Sequence, residues 1–298
     1  MSTRYPYLRR LPPFEYLAPT SLAEATALLS QHGSRARVLA GGTDLLLHMK
    51  ERSETPKYVI GLKGIRGLDY LSFSERQGLI FGPMVTVHTL ETHPLIRERY
   101  PILAEAASVL GSFQVRNLAT AVGNLCSALP SSDMAPSLIV LDASLTVKGP
   151  GGERNVPLDG FMTAPGQSAL SPEDLVVAVN VPPPPRRNGM VYLKHMQRSA
   201  MDLAVVSVAA MVDFRQDLCR EARICLGTAG PKPWRASGAE ALLKGQPLDS
   251  GLIEKAAARA AEECRARSSR RASEEYRREM IKVLTTRALT QIRQNAGV

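Results

Sequence analysis

Short apolar runs broken by glycine and proline alternate along the chain with longer mixed stretches, and the two kinds predict strands and helices. "TSLAEATALLSQHG" predicts the first helix: Ser21 stands at its cap, Glu24 follows three residues on, and Gly33 closes it. Next come the strand "ARVLA", the pair Gly41-Gly42 and "TDLLLHMK", an apolar run that can open as a helix. "KYVIGL" predicts a strand. "GLIFGPMVTVHTLE" predicts a strand passing into a short helix near Val87, and "PILAEAASVLG" a helix with Pro at its start and Gly at its end. In "SLIVLDASLTVKGPGGERNVPLDGF" two alternating runs flank Gly149-Pro150-Gly151-Gly152, a hairpin pattern.

"PPPPRR", Pro182 to Arg187, is the sharpest composition break and sets the main boundary, giving expected domains over 1–183 and 188–298. Beyond it lie strands "MVYLKHM", "DLAVVSVAAMVDF" and "EARICLGTAG", then helices near Ala236–Leu243, Ser250–Arg265 and Ser273–Gln294. Mixed helices and strands followed by strands and then helices make an α+β fold.

Composition changes this picture little. A chain of 298 residues holds about two domains of ~100–200 residues each. No apolar run nears the ~20 residues of a membrane helix. The N-terminus carries early arginines with no apolar segment behind them, so a cytoplasmic location is the expectation. The net charge of +9 raises nucleic acid as a partner, but residues 232–298 hold 14 Lys/Arg against 8 Asp/Glu, interleaved as in "EKAAARAAEECRAR". That is a solvated helix pattern, and 5% aromatics leave little for base stacking, so no nucleic-acid partner is expected. Cys126, Cys219, Cys225 and Cys264 form no CxxC pair, and the five histidines show no metal-ligand spacing, so no metal site is expected.

Two glycine turns carry the candidate chemistry. "RVLAGGTDLLLHMK" has the parts of an anion-binding turn, because Gly41-Gly42 lets backbone N–H groups approach an anion and a following helix adds its positive end. It lacks the spacings of both the GxGxxG and P-loop motifs. Asp44, which would repel a phosphate, is expected to cap the next turn and point away. "RNLATAVGNLCSALPSSDMAP" reads as a buried extended loop in which small residues, Gly123 and Asn124 pass close to a polar ligand. Asp133 in it is suited either to ribose hydroxyls or to a helix cap.

With "FEYLAPTSLAEATALLSQHGSRARVLAGGTDLLLHMK", "GSFQVRNLATAVGNLCSALPSSDMAPSLIVLDA" and "YLKHMQRSAMDLAVVSVAA", the chain resembles the FAD-binding medium subunits of the molybdenum hydroxylases. Those of carbon monoxide dehydrogenase, xanthine dehydrogenase, nicotinate dehydrogenase and hydroxybenzoyl-CoA reductase are examples. The resemblance runs from about Phe14 to Leu289. It implies an FAD domain of the vanillyl-alcohol-oxidase (PCMH) type over 1–183, with subdomains of about 1–58 and 59–183. A small C-terminal domain of antiparallel sheet plus helices over 188–298 would follow it.

The resemblance also implies non-covalent FAD. Its pyrophosphate would be wrapped by Val38, Leu39, Ala40, Gly41, Gly42, Thr43, Asp44 and Leu45, and the cradle completed by Thr120, Ala121, Val122, Gly123 and Asn124. Asp133 would take the adenosine ribose, Leu110 would be an apolar neighbour of the cofactor, and Lys194 would approach the flavin. Arg198 and Asp202 would hold their strand and shape the pocket, or simply pair as a structural salt bridge. A small subunit with two [2Fe–2S] clusters and a large subunit with the molybdenum cofactor would be the partners, in a dimer of heterotrimers. This subunit would pass electrons from the clusters to an external acceptor.

The family pattern T-I-G-G-N is here Thr120-Ala121-Val122-Gly123-Asn124, and Val122 cannot take φ > 0 cheaply. The cysteine-rich insertion of the hydroxybenzoyl-CoA reductase branch is also missing, so FAD is expected to be the only redox centre of the subunit. Two other readings are a stand-alone FAD oxidoreductase of the same fold and a non-catalytic basic interaction module.

Overall fold

The structure is a computed structural model and describes residues 10–297. Residues 1–9 and 298, which include the arginine-bearing N-terminus and the outer ends of both expected domains, lie outside the described residues.

The first part holds β1 (Glu15–Leu17), α1 (Leu22–His32), β2 (Ala36–Leu39), α2 (Leu45–Glu51) and β3 (Tyr58–Gly61). Its three strands run parallel in the order β1-β3-β2. Ser21 caps α1 by accepting from the Glu24 N–H at 3.1 Å, while the Glu24 carboxylate takes the N–H of Thr20 rather than of Ser21. Ala25 and Leu29 of α1 pack with Ala36 and Ile60, so the helix covers one face of the sheet. All three strands end on the same side, where parallel strands conventionally present their ligand-binding loops.

The second part follows with β4 (Leu71–Ser74), β5 (Gly78–Phe81), α3 (Val87–Thr92), α4 (Pro94–Arg99), α5 (Pro101–Ser108), α6 (Phe113–Leu118), α7 (Ala121–Cys126) and α8 (Met134–Val140). Then come β6 (Ser144–Gly149), β7 (Gly152–Pro157), β8 (Met162–Ala164), β9 (Gln167–Ser168) and β10 (Leu175–Val181). The hairpin β6–β7 turns at Pro150-Gly151 as its sequence predicts. The five-stranded antiparallel sheet has the order β4-β5-β10-β6-β7, so "LVVAVNV", not singled out as a strand, lies at its centre.

The stretch expected to be an extended loop, 116–136, is mostly short helices. Ser112 and Thr120 each cap a single-turn helix with their side chains, accepting from Val115 N–H at 3.3 Å and Gly123 N–H at 3.0 Å. Small residues there serve close helix packing, not an extended backbone.

The last part is the meander β11 (Asn188–His195), β12 (Val206–Arg215), β13 (Leu218–Gly227) and β14 (Trp234–Arg235), followed by α9 (Ser237–Leu243), α10 (Ser250–Glu263) and α11 (Glu274–Ala296). Alternation along its strands divides it into two buried faces. Met190, Tyr192, Ala209, Met211 and Cys225 join the core of the second part, where α5 and α8 lie. Val191, Val208, Ala210, Val212 and Ile224 join α9, α10 and α11 on the other side. Buried this way, β12 reads as a continuous apolar run instead of an alternating one.

Candidate functional site

The two glycine turns converge. Gly42 has φ +76°, a conformation that favours glycine. A Cβ on Gly41 would stand 1.9 Å from the carbonyl oxygen of Leu118, so only glycine lets the first turn lie against the end of α6. The Ser127 hydroxyl, at the end of α7, donates to Asp44 Oδ2 at 2.6 Å across 83 positions of sequence. Asp44 makes no side-chain cap on α2; its carboxylate ties the two turns together instead.

Val38 through Leu45 are all half-buried. Among the described residues, the N–H groups of Gly41, Gly42, Thr43 and Asp44 have no hydrogen-bond partner within the protein. Adjacent unspent backbone donors with no side chain in the way form an anion-binding concavity.

The second turn is held by its neighbours. Val87 N–H donates to Ala119 O at 2.8 Å and Ala121 N–H to Val85 O at 3.3 Å, so Thr120 lies in a short bridge beside Thr86. Ala121, Val122, Gly123 and Asn124 are the first residues of α7. Val122 is not among the positive-φ residues and its side chain is 7% exposed, packed in the core. The missing glycine therefore leaves no backbone strain. Asn124 Oδ1 accepts from Ser132 Oγ at 2.6 Å and Met134 N–H at 3.3 Å, which anchors the start of α8 and leaves its amide NH2 uncommitted among the described residues.

Asp133 and Lys194 take positions that the sequence does not foretell. Lys194 shares its face of β11 with Met190 and Tyr192, the face turned towards α8. Its ammonium donates to Asp133 Oδ2 at 2.9 Å and to Val109 O at 3.1 Å. Tyr192 hydroxyl donates to Asp133 Oδ1 at 2.9 Å. Both carboxylate oxygens are thus engaged inside the protein, one by Tyr192 and one by Lys194. Burial pushes the Asp133 carboxyl up, with the Lys194 charge and both hydrogen bonds pulling against it. Burial, beside that carboxylate, also holds the Tyr192 phenol well above its ordinary value.

Leu110 is likewise turned into the core, 8% exposed, its carbonyl held by Arg116 Nη1 at 3.2 Å. Arg116 also forks onto Glu91 at 2.8 and 3.2 Å. Arg198 and Asp202 do pair, loosely at 3.4 Å. Asp202 mainly closes its own loop by accepting the N–H groups of Gln197 and Arg198 at 2.9 and 3.0 Å. That loop rests on the turn after Leu110 through Met201 N–H and Gly111 O at 3.1 Å. Ser127, Tyr192 and Arg116 went unnoticed in the sequence. Only Tyr192 left a signal, its even spacing from Lys194.

The parallel three-stranded unit thus presents the first glycine turn against the junction of α6 and α7, and its unspent N–H groups make a backbone site for an anionic ligand. The family described as the FAD binding domain in molybdopterin dehydrogenase matches residues 12–184, and the CO dehydrogenase flavoprotein C-terminal domain matches residues 191–292. The chain belongs to this FAD-binding subunit family of oxidoreductases. It is 31% identical to the xanthine dehydrogenase FAD-binding subunit of Escherichia coli O157:H7, over 95% of this chain and 97% of the relative. To the carbon monoxide dehydrogenase medium chain of Hydrogenophaga pseudoflava it is 32% identical, over 93% and 96%. A solved structure of carbon monoxide dehydrogenase from that organism superposes with a TM-score of 0.91, covering 94% and 97%. Quinoline 2-oxidoreductase from Pseudomonas putida 86 gives 0.91 at 28% identity, covering 97% and 100%. Among the described residues no helix is long and apolar enough to cross a membrane.

Proposed function

We propose that this chain carries FAD as the electron-transfer subunit of a molybdenum-dependent dehydrogenase. It passes electrons between [2Fe–2S] clusters of a small partner subunit and an external acceptor, while a large partner subunit carries the molybdenum cofactor. One observation bears most of the weight: the row of unspent N–H groups at Gly41 to Asp44, held against the second turn by Asp44 and Ser127. Four adjacent donors beside a glycine pair suit the two negative phosphates of a dinucleotide.

FAD, when bound, supplies an exchange between one-electron and two-electron steps; the protein supplies binding and orientation. Gly41, Gly42, Thr43 and Asp44 bind the diphosphate through backbone N–H groups. Thr120 to Asn124 close the cradle, with the Asn124 NH2 as a side-chain donor. Asp44 keeps its carboxylate off the phosphates by spending it on Ser127. Asp133, Tyr192 and Lys194 act from behind, fixing α8 and the Val109 carbonyl that precedes Leu110.

The test is to purify the chain alone and with its partners. A yellow protein releasing one FAD on denaturation, inactive alone towards NADH and dyes, and reduced by substrate only when both partner subunits are present, is the expected result. Turnover of NADH by the isolated chain would favour the stand-alone oxidoreductase reading, and a colourless protein that takes up no FAD would end both.

A further inference from the structure

We infer that the turn between α10 and α11 is a binding site for a phosphate group, separate from the two glycine turns. Arg277, in the first turns of α11, is 4% exposed, and no carboxylate pairs with it among the described residues. A guanidinium has five N–H donors in a fixed fork. One nitrogen, Nη1, donates to Val205 O, and Nη2 donates to Ser269 Oγ at 2.7 Å. Nε is buried with no partner. A buried cation without an anion is costly, so a site built around one calls for an anion from outside.

The covering turn matches that need. "CRARSSRRAS", Cys264 to Ser273, holds four arginines and no acid. Ser268, Ser269, Arg270 and Arg271 are exposed. Arg271 and Arg267 lie near enough to Arg277 to push its acidity in the same direction as its burial does. The turn leads into the N-terminus of α11, a 23-residue helix, where Glu274 N–H donates to Ser268 Oγ at 3.0 Å and Tyr276 N–H to Ser273 Oγ at 3.2 Å. The guanidinium fork, the Ser269 hydroxyl and the neighbouring arginines make a donor set of the kind that a tetrahedral oxyanion takes. Glu274 and Glu275 share that first helical turn, and Glu274 is occupied by Arg278 at 3.1 Å.

Two sources of the phosphate are chemically equivalent here, a free phosphate ion and a phosphate carried by a dinucleotide. The second has a structural route: Gln197 Nε2 donates to Arg271 O at 2.8 Å, and Met201 N–H of the same loop donates to Gly111 O, just before α6, whose far end at Leu118 packs on Gly41. The inference does not depend on the flavin reading.

The experiment is a titration of the full chain with inorganic phosphate, with chloride at matched ionic strength, and with NADH and NADPH, following thermal midpoint and calorimetric heat. FAD content is measured in parallel as an independent check on the glycine turns. Phosphate or a dinucleotide is expected to raise the midpoint where chloride does not, and Ser269→Ala with Arg271→Ala, both exposed positions, to weaken that binding at least about fivefold with FAD content unchanged. Arg277→Met should abolish it; should that variant not fold, the double variant alone carries the test. Tighter binding of a dinucleotide, competitive with phosphate, assigns the dinucleotide source, and phosphate binding alone assigns the free ion. Equal effects of phosphate and chloride, or full phosphate binding by the double variant, would overturn the site.

Discussion

Lys194 and Asp133 meet at 2.9 Å with side chains 1% and 8% exposed, joining β11 to the start of α8 across the boundary between the two family-matched regions. A pair so buried is held by its mutual satisfaction more than by net attraction, since both ions gave up their hydration. Removing one partner strands the other. Lys194→Met is expected to cost about 3–5 kcal/mol of unfolding free energy, and adding Asp133→Asn to recover a substantial part of it. Urea denaturation of the single and double variants measures both; a single variant as stable as the parent would show that the pair carries no such burden.

The clamp between the glycine turns should be visible in cofactor affinity. A hydrogen bond to a carboxylate contributes about 1.5–3 kcal/mol, so Ser127→Ala is expected to weaken FAD binding about tenfold or more while the fold survives. Flavin fluorescence on titrating apoprotein with FAD reads it, and an unchanged dissociation constant would remove the clamp from the site.

Gly41 and Gly123 separate two uses of glycine. At Gly41 a methyl group would overlap the Leu118 carbonyl, and at Gly123 it would meet only Thr120 Oγ1 at 3.0 Å. Gly41→Ala should therefore force the turns apart and abolish FAD retention, with Gly123→Ala far milder. Equal retention by the two variants would contradict the packing.

Val122→Gly, which restores the family's residue, is expected to destabilise the chain by about 1–3 kcal/mol through the lost core side chain and the added helical glycine, without tightening FAD. Thermal unfolding together with the FAD titration tests this, and a clear gain in affinity would mean that the valine obstructs the cofactor.

A carboxylate far from the site governs part of the acid response. Hydrogen bonds from Arg154 at 2.6 and 2.9 Å, with the Ser171 N–H, hold the Asp174 carboxyl below its ordinary value. A depressed folded pKa means stability that is fully present above the unfolded value, near ~3.9, and lost as pH falls through the folded one. Asp174→Asn should thus lower stability at neutral pH and converge with the parent in acid. Parallel stability curves down to about pH 2 would rule out this origin.

Much of the fold was legible in sequence because its elements carry their own punctuation. Ser21 and Gly33 bound α1, Pro101 opens α5, and Gly149 to Gly152 turn β6 into β7. β10 was missed because "LVVAVNV", buried between two neighbours, lacks alternation, and 116–136 misled because small residues suit a tight helix as well as an extended backbone. At the site, the glycine turns were readable from local chemistry. The partners of Asp133 and Lys194 were not, since a contact across 61 positions leaves no trace in either neighbourhood. Nor does Ser127 advertise its hold on Asp44; one serine after a helix is unremarkable until the chain has folded.

The meander β11–β13 is covered by helices on both faces, one cover supplied from each side of the proline-rich connector. Cutting the polypeptide at that connector would strip one cover and bare a sheet of valine, alanine and methionine to water. Chimeras with a relative would then need to cross over with α5, α8 and the sheet kept together, so recombination in this lineage is expected to trade whole subunits and not halves.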